Sequence, residues 1–465
     1  MQQGDVSTAA RVAHSTKGWF RWAQRFSGWR VEIPIWKDST VVPGWEPSGT
    51  PGATRGYWGL NAGVSGQTVS DVVARLEEVA AIPADEYHIE GVTNSMGGPL
   101  TPQEILDLVL EGARFLTTET GRKVRIYTVL ARDTTAWPNP STQRTNALEY
   151  NRLLRSQNEF EVVDFNKGFL DYTQDINVPR PENTNDGTHI SGVGASRMGR
   201  EIAKAWAQEY PPVDEFIKKP TDNFITDGFL QGTGGSTGTA TTGDVSDGMT
   251  VERSSGDSTA VASVVAGEVA GTRGDAQKLV VTPSGAAGES VFFFRTAPSD
   301  TAHNVPGKYV QGSVKIRINS ANDSIGGVVL KLDDQGTGGV NAEDFFDEGQ
   351  GFMLDSTDSF VEFRTPALLL VPDSTEVRVR VEIIIDGQGT GDADIDIAEL
   401  GFIEVEDPEI EFNTVAPGSR QVAIGKTVTS IRGILSEGAL VSPTDFGGGA
   451  ASVLDLERKG LLVKL

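Results

Sequence analysis

Residues 87–130 read YHIEGVTNSMGGPLTPQEILDLVLEGARFLTTETGRKVRIYTVL, and this stretch decides the fold class of the first half of the chain. Its first residues, 87–92, have the pattern of a strand, 102–117 have the apolar spacing of a helix, and 123–130 have the pattern of a second strand. Strands that alternate with helices indicate a parallel sheet covered on both faces. The stretch therefore predicts an α/β unit.

The same alternation continues on both sides of this unit. The further predicted elements are helices at 18–27, 68–80, 143–156 and 192–208, and strands at 30–36 and 160–164. In the helix at 68–80, Val72, Val73, Leu76 and Val79 share one face. We therefore expect residues 1–210 to form a three-layer α/β domain with a parallel sheet.

The composition of the chain changes near residue 210. All eight tryptophans lie before this point, and Gly, Ser, Thr and Asp dominate afterwards. Residues 211–249, with the turn-rich or flexible stretch 231–243, are expected to be a linker and an entry strand. Short β-branched segments between Gly, Asp, Asn and Pro clusters predict an antiparallel β-sandwich over 250–406. Residues 407–465 are expected to form a short C-terminal element with a role in assembly.

Charge and residue usage exclude several classes of partner. The net charge of −24 opposes binding to phosphate backbones and anionic membranes, so we expect no nucleic-acid partner and favour neutral or acetylated glycans. The chain has no cysteine, and His14, His88 and His303 lack the spacing of metal ligands. We expect no metal, no cofactor, no membrane insertion and no standard export signal.

Three short segments carry residues suited to acyl chemistry. Asp186 and His189 lie on a tight turn, where the carboxylate can accept a hydrogen bond from Nδ1 and leave Nε2 as a base. Gly66 precedes a helix and offers an unobstructed backbone N–H, and Asn94 follows a strand and offers an amide donor. These residues are candidates for a base, its orienting acid and two oxyanion donors.

These segments resemble the SGNH (GDSL) hydrolase family. NAGVSGQT at 61–68, TNS at 93–95 and DGTHIS at 186–191 are similar to the family's second, third and fifth blocks, in the right order over about 200 residues. The resemblance implies that Gly66 and Asn94 are oxyanion donors, Asp186 the orienting acid and His189 the general base. The strands after residue 250 resemble jelly-roll carbohydrate-binding modules.

The first block departs from the family pattern. The family places its nucleophilic serine in a Gly-Asp-Ser motif at the end of the first strand, whereas here Gly4-Asp5 is followed by Val6. A shift of the motif by one residue along the chain makes Ser7 the candidate nucleophile. Three residues precede the Gly4-Asp5 pair. In the third block, Val92-Thr93 replaces the usual glycine and Ser95 the usual aspartate.

Three hypotheses stay open for the function. The first is a serine esterase that deacylates a glycan through Ser7, Gly66, Asn94, Asp186 and His189. The second is a binding protein that holds a polysaccharide without cleaving it, since valine replaces the nucleophile. The third is a structural protein on the surface of a virion, and it is compatible with the second.

The favoured hypothesis is that the chain is a glycan-recognising spike or fibre of a phage or phage-like particle. It would be present on the virion surface, or outside the cell after host lysis. Its expected partners are a cell-surface polysaccharide, other virion proteins and copies of itself. The alternative is a free, cytoplasmic bacterial carbohydrate esterase with an appended binding module. The aromatic run Phe292–Phe294 is expected in the core or in an oligomer interface.

Overall fold

The computed structural model describes residues 6–8, 11–15, 18–31, 66–80, 84–90, 92–174, 176–218, 222–225, 227–267, 272–286, 288–298, 306–319, 324–339, 341–346, 357, 359–385, 391–406, 420–422, 427–430, 433–436, 440–441 and 462–464. These residues fall into two compact units. The first contains the described residues up to 31 and those from 179 to 406. The second contains those from 66 to 178 and those from 420 to 464.

Helices and strands alternate up to residue 210, and strands dominate afterwards. The α-helices are α1 (Trp19–Ser27), α2 (Val69–Val73), α3 (Leu76–Ala80), α4 (Pro102–Thr120), α5 (Thr142–Ser156), α6 (Asn166–Phe169) and α7 (Gly192–Glu209). The strands up to residue 265 are β1 (Val6–Thr8), β2 (Arg11–Ser15), β3 (Glu86–Ile89), β4 (Lys123–Tyr127), β5 (Glu161–Val163), β6 (Gly234–Thr237), β7 (Thr241–Gly243), β8 (Val245–Ser255) and β9 (Thr259–Val265). Short 3₁₀ helices lie at Thr93–Ser95 and Pro181–Asn183.

Strands make up most of the remaining described chain. They are β10 (Ala276–Thr282), β11 (Glu289–Pro298), β12 (Tyr309–Ile318), β13 (Ile325–Asp334), β14 (Asn341–Phe346), β15 (Val361–Arg364), β16 (Leu368–Leu369), β17 (Glu376–Ile385) and β18 (Ala393–Val405). Five shorter strands follow: β19 (Arg420–Val422), β20 (Thr427–Ser430), β21 (Gly433–Ser436), β22 (Leu440–Val441) and β23 (Leu462–Lys464). They form the small sheets β22-β19-β23 and β20-β21.

The second unit contains the predicted parallel sheet, in the order β3-β4-β5. Helix α4 begins at a capping box in which Thr101 and Glu104 exchange hydrogen bonds, and it ends at Gly121, whose φ of +68° favours glycine. The apolar faces of α4 and α5 pack with the sheet around residues such as Ile105 and Ile126, which are fully buried. The α/β prediction is confirmed.

The predicted helix at 68–80 is divided into α2 and α3. The N–H of Arg75 donates to the carbonyl of Val72 at 3.2 Å, a bond between residues three apart that tightens the backbone at the break. The predicted strand at 30–36 lies almost wholly outside the described residues.

Two larger sheets form the β-sandwich of the first unit, which confirms the second part of the predicted fold class. One has the order β1-β2-β14-β13-β17-β11-β8-β6; the other has the order β15-β12-β18-β10-β9-β7, with β16 paired to β12. Fully buried side chains such as Phe293, Leu330 and Val381 point into the core. Phe292 and Phe294, on the opposite face of the same strand, are half-buried, so the aromatic run is divided between core and outer face.

The glycine-rich stretch 231–243 contains β6 and β7. A Cβ on Gly235 would lie 2.2 Å from the carbonyl oxygen of Ser246, and one on Gly243 would lie 2.0 Å from that of Ala262. Glycine is thus needed for close backbone approach at these two positions.

Candidate functional site

The turn at 186–189 brings Asp186 and His189 together. One carboxylate oxygen, Oδ1, accepts hydrogen bonds from the backbone N–H groups of Thr188 (3.0 Å) and His189 (2.7 Å). The other, Oδ2, lies 2.6 Å from His189 Nδ1. Gly187 has a φ of +77°, the left-handed region that glycine adopts most easily, and this lets the chain fold back on the carboxylate.

The electrostatics of this pair suit a base and its orienting acid. The backbone N–H of His189 and then its side chain hydrogen-bond to Asp186 and lower the pKa of that carboxyl to about 2. The carboxylate is therefore ionised at neutral pH and holds Nδ1 as the protonated nitrogen. Both side chains are 53% exposed, and within the described part of the chain nothing hydrogen-bonds to Nε2. This nitrogen can accept a proton or a hydroxyl hydrogen bond.

The turn is fixed to the start of α7 by backbone and side-chain bonds. The N–H of Asn185 donates to the carbonyl of His189 at 2.9 Å, and Thr184 forms a bridge with Ile190. Ser191 caps α7, because its Oγ accepts from the N–H of Gly194 (3.1 Å) while donating to the carbonyl of Glu182 (2.6 Å).

Arg197 holds the segment that precedes the turn. Its Nη1 donates to Glu182 Oε1 at 2.8 Å and to Asn183 Oδ1 at 2.6 Å, and Asn183 is fully buried. Arg197 lies on α7 between one and two turns of helix after Ser191, so α7 is bonded to the segment before the turn at two positions.

Helix α7 is packed against α1 at Gly199. A Cβ at this position would lie 2.5 Å from Trp22 Cβ, 2.7 Å from the nitrogen of Ala23 and 2.9 Å from the carbonyl oxygen of Trp19. Helix α1 in turn contacts the sandwich, where Trp22 packs edge-to-face on Phe363 and Trp29 Nε1 donates to the carbonyl of Glu362 at 2.9 Å. The turn therefore leads into α7, which packs on α1, and α1 in turn contacts the β-sandwich.

Arg25 strengthens this anchor. Its guanidinium forms an ion pair with Asp344 on β14, and both side chains are completely buried. Asp344 also accepts the backbone N–H of Arg364 at 2.9 Å. Removing either charge would take this ion pair away from the buried charge that remains, which is strongly destabilising.

The structure also brings Gly66 and Asn94 into one local arrangement. Gly66 has a φ of +82° and is exposed. Asn94 Nδ2 donates to the carbonyl of the next residue, Gln67, at 3.0 Å. This bond uses one of the two amide N–H groups of Asn94 and leaves the second as a donor.

Ser95 also connects the segment after β3 to the start of α2. The sequence analysis did not identify this role. Its Oγ accepts the backbone N–H of Val69 at 2.8 Å, at the start of α2. Thr68 caps that helix in a capping box with Asp71. Ser95, which departs from the family pattern, thus supplies a hydroxyl that accepts a hydrogen bond at the start of α2. The sequence alone carries no signal for this contact, because Ser95 and Val69 come together only in the fold.

Ser7 lies in the middle of β1, opposite Val12 of β2. Strand β2 pairs in parallel with β14, so β1 belongs to the eight-stranded sheet of the sandwich. Ser7, Asp186 and His189 belong to the first unit, and Gly66 and Asn94 to the second.

The described residues contain no group of three or more His, Asp or Glu side chains arranged to hold a metal ion. Among the helices in the described ranges, none is long and apolar enough to cross a membrane.

Comparisons with known proteins find similar solved structures but no similar sequence family. No family model and no curated protein matches it. Tailspike protein 4 of bacteriophage CBA120, described as an enzymatically active domain, is similar at 13% identity and a TM-score of 0.25, covering 40% of this chain and 22% of the tailspike chain. The chain thus spans less than a quarter of that relative.

Two further solved structures are each similar to about a third of the chain. A GDSL-like lipase from Bacteroides thetaiotaomicron is 20% identical over 31% of this chain and 74% of its own, with a TM-score of 0.29. A family 22 carbohydrate-binding module from Clostridium thermocellum is 19% identical over 36% of this chain and 89% of its own, with a TM-score of 0.22. Structures similar to this chain therefore include GDSL-like hydrolases, carbohydrate-binding modules and a phage tailspike.

Proposed function

We propose that this chain is a glycan-recognising surface protein, a spike or fibre of a phage or phage-like particle, that binds acylated polysaccharide on a host cell. The observation that carries the proposal is the pairing of His189 Nδ1 with Asp186 Oδ2 at 2.6 Å on an exposed turn. It gives Nε2 a fixed direction.

An oriented Nε2 suits two kinds of partner. It accepts a proton from a serine hydroxyl in an esterase, and it accepts a hydrogen bond from a sugar hydroxyl in a binding site. An oriented base thus serves recognition whether or not an acyl-enzyme forms. The role of Gly66 and Asn94 as oxyanion donors rests on the family resemblance alone.

The position of Ser7 favours recognition over turnover. The family's nucleophile ends the first strand, whereas Ser7 is the central residue of β1, in a sheet of the sandwich. Val6 occupies the strict nucleophile position. In this proposal the chain holds the glycan without Ser7-dependent cleavage.

The virion assignment rests on organisation and charge. An SGNH-like segment joined to a jelly roll is similar in organisation to the spikes and fibres of tailed phages, and a net charge of −24 suits neutral or acetylated glycans better than anionic ones. Other virion proteins and further copies of the chain are its partners, and its location is the particle surface.

Affinity gel electrophoresis of the full chain in gels containing acetylated xylan or acetylated glucomannan tests recognition. We expect retarded migration in at least one gel, and loss of the retardation in His189→Ala. Lys204→Ala is the control, since Lys204 is exposed on α7 and contacts Glu201 rather than the turn. Unretarded migration of the wild-type chain in both gels would overturn the proposal.

The second candidate is a free bacterial carbohydrate esterase with an appended binding module. The intact Asp186–His189 pair favours it, because an orienting acid and a base are the parts that acyl transfer needs besides the nucleophile. A free esterase would turn over acetylated sugars as a monomer.

A further inference from the structure

A tight turn after α6 carries an aromatic ring that stands out in water. Tyr172 is 66% exposed. All other Phe, Tyr and Trp side chains whose exposure the structure describes are buried or half-buried. A single exposed apolar side chain has little meaning by itself, so the way in which this ring is held decides its significance.

The backbone of the turn is fixed by four hydrogen bonds. The N–H of Gln174 donates to the carbonyl of Asp171 at 3.3 Å and closes the turn. Asp171 Oδ1 accepts the N–H of Thr173 at 3.0 Å and its hydroxyl at 2.6 Å. The N–H of Asp171 donates to the carbonyl of Val178 at 2.9 Å, at the base of the turn. Tyr172 is thus the second residue of a well-defined turn.

The hydroxyl of Tyr172 fixes the direction of the ring. It lies 3.2 Å from the carbonyl oxygen of Asn166 and 3.3 Å from that of Lys167, and it donates to this pair. The polar end of the side chain is therefore held against α6, while most of the ring remains accessible. A side chain that is ordered before a ligand arrives loses less conformational entropy on binding.

Helix α6 places this ring at the carboxyl edge of the parallel sheet. Asn166 begins the helix directly after β5, and its side chain bonds to the chain after β4, with Nδ2 donating to the carbonyl of Val129 at 2.9 Å. Asn94 follows β3 at the same edge. Strands β3 and β5 are two strand spacings apart, about 10 Å. Open α/β sheets bind their ligands at this edge.

Two uncharged polar side chains flank the ring. Thr173 and Gln174 are both exposed. The amide of Gln174 offers a donor and an acceptor, and the hydroxyl oxygen of Thr173 can still accept after donating to Asp171. Groups that donate and accept without charge match the hydroxyl groups of a neutral sugar.

We propose that the Tyr172 ring is a stacking platform for one pyranose ring of the polysaccharide, with Thr173 and Gln174 bonding to its hydroxyl groups. Xylose and glucose rings with equatorial hydroxyl groups have axial C–H bonds on each face, and these faces are apolar. The face of an aromatic ring is the negative part of its quadrupole and attracts such C–H groups. This inference rests on the proposed function of glycan recognition and assigns it a subsite in the α/β unit.

Affinity gel electrophoresis of the full chain, over a range of acetylated xylan or acetylated glucomannan concentrations, gives the Kd that tests the platform. Tyr172→Ala should weaken binding about tenfold, because the stacking surface is lost. Tyr172→Phe and Tyr172→Trp keep a ring and should stay within about threefold of the wild type. Leu148→Ala is the control, since Leu148 is an apolar residue of α5 that is 42% exposed. It should change Kd less than about twofold.

A measurement on the wild type needs no variant. Saturation-transfer NMR with acetylated xylo-oligosaccharides and irradiation of the aromatic protons should transfer more magnetisation to the axial protons of one face of a xylose ring than to those of the other. This difference should disappear in Tyr172→Ala, whose fold is checked by near-ultraviolet circular dichroism.

Three results would overturn the platform: a Kd that Tyr172→Ala leaves unchanged, a loss of affinity in Tyr172→Phe as large as that in Tyr172→Ala, or equal transfer to both faces of the sugar. Retardation of the wild type together with any of these would leave glycan recognition standing and remove only the platform. Unretarded migration of the wild type in both gels would remove both proposals.

Discussion

Gly199 lies against Trp22 so closely that a methyl group at residue 199 would be 2.5 Å from Trp22 Cβ. Two of the three nearest atoms are backbone atoms of α1, at Ala23 and Trp19, and neither can rotate away. This contact sets the distance between α1 and α7. The Asp186–His189 turn directly precedes α7.

Gly199→Ala should therefore destabilise the first unit by about 1–3 kcal/mol, the usual cost of overpacking. Gly112→Ala in α4 is the matched control, because its Cβ would meet the flexible end of Leu76 at 2.7 Å and would gain helix propensity. Thermal melts followed by near-ultraviolet circular dichroism report on Trp19, Trp22 and Trp206. Equal melting temperatures for the two variants would show that the helix contact is looser than described.

Asp186 should make the free energy of unfolding depend on pH in the acid range. Hydrogen bonds from His189 lower the pKa of this carboxyl from 3.8 to about 2. A carboxyl whose folded pKa is lowered adds stability above its unfolded pKa and loses that contribution as the pH falls through the folded value. The difference in unfolding free energy between the wild type and Asp186→Asn should shrink as the pH falls from about 4 to about 2. A difference that grows on acidification would contradict the described hydrogen bonds.

Ser95→Ala should weaken the connection between the two segments of the candidate oxyanion site. It leaves the buried N–H of Val69 without its acceptor at 2.8 Å, at a cost of about 1–3 kcal/mol. Ser70→Ala on the same helix, at an exposed position, is the control and should change stability by less than about 0.5 kcal/mol. Urea unfolding monitored by circular dichroism measures both variants, and a similar effect of the two substitutions would argue against the Ser95 cap.

The chain should assemble with copies of itself. A virion spike or fibre is expected to be an oligomer, since proteins on the surface of a symmetric particle repeat its symmetry. Size-exclusion chromatography with multi-angle light scattering on the purified chain should give a mass that is a multiple of 49.6 kDa. A mass of one chain at micromolar concentration would instead favour the free esterase.

Local sequence signals predicted much of the fold and the contact between Asp186 and His189. The helix predicted at 102–117 is α4 (Pro102–Thr120), which extends three residues further, up to Gly121. The contact between Asp186 and His189 is equally local, because a four-residue turn with Gly187 at its centre leaves few arrangements.

Long-range pairing could not be predicted in the same way. Strand β2 joins the sandwich through β14, more than 300 residues away in the sequence, so the sheet that holds Ser7 cannot be deduced from its neighbours. The register that sets Phe294 opposite Arg380 and Asp333 opposite Arg378 is equally absent from the local sequence. A one-residue shift in register would move each of these side chains to the other face of its strand.

Release of acetate from acetylated xylan and acetylated glucomannan separates recognition from cleavage. The wild type, Ser7→Ala and His189→Ala are compared at equal concentration, with binding to the same polysaccharides measured in parallel. Recognition without Ser7-dependent cleavage predicts that the wild type binds, that its acetate release equals that of Ser7→Ala, and that His189→Ala loses binding. Rapid acetate release by the wild type that disappears in Ser7→Ala would contradict this account and establish a serine esterase.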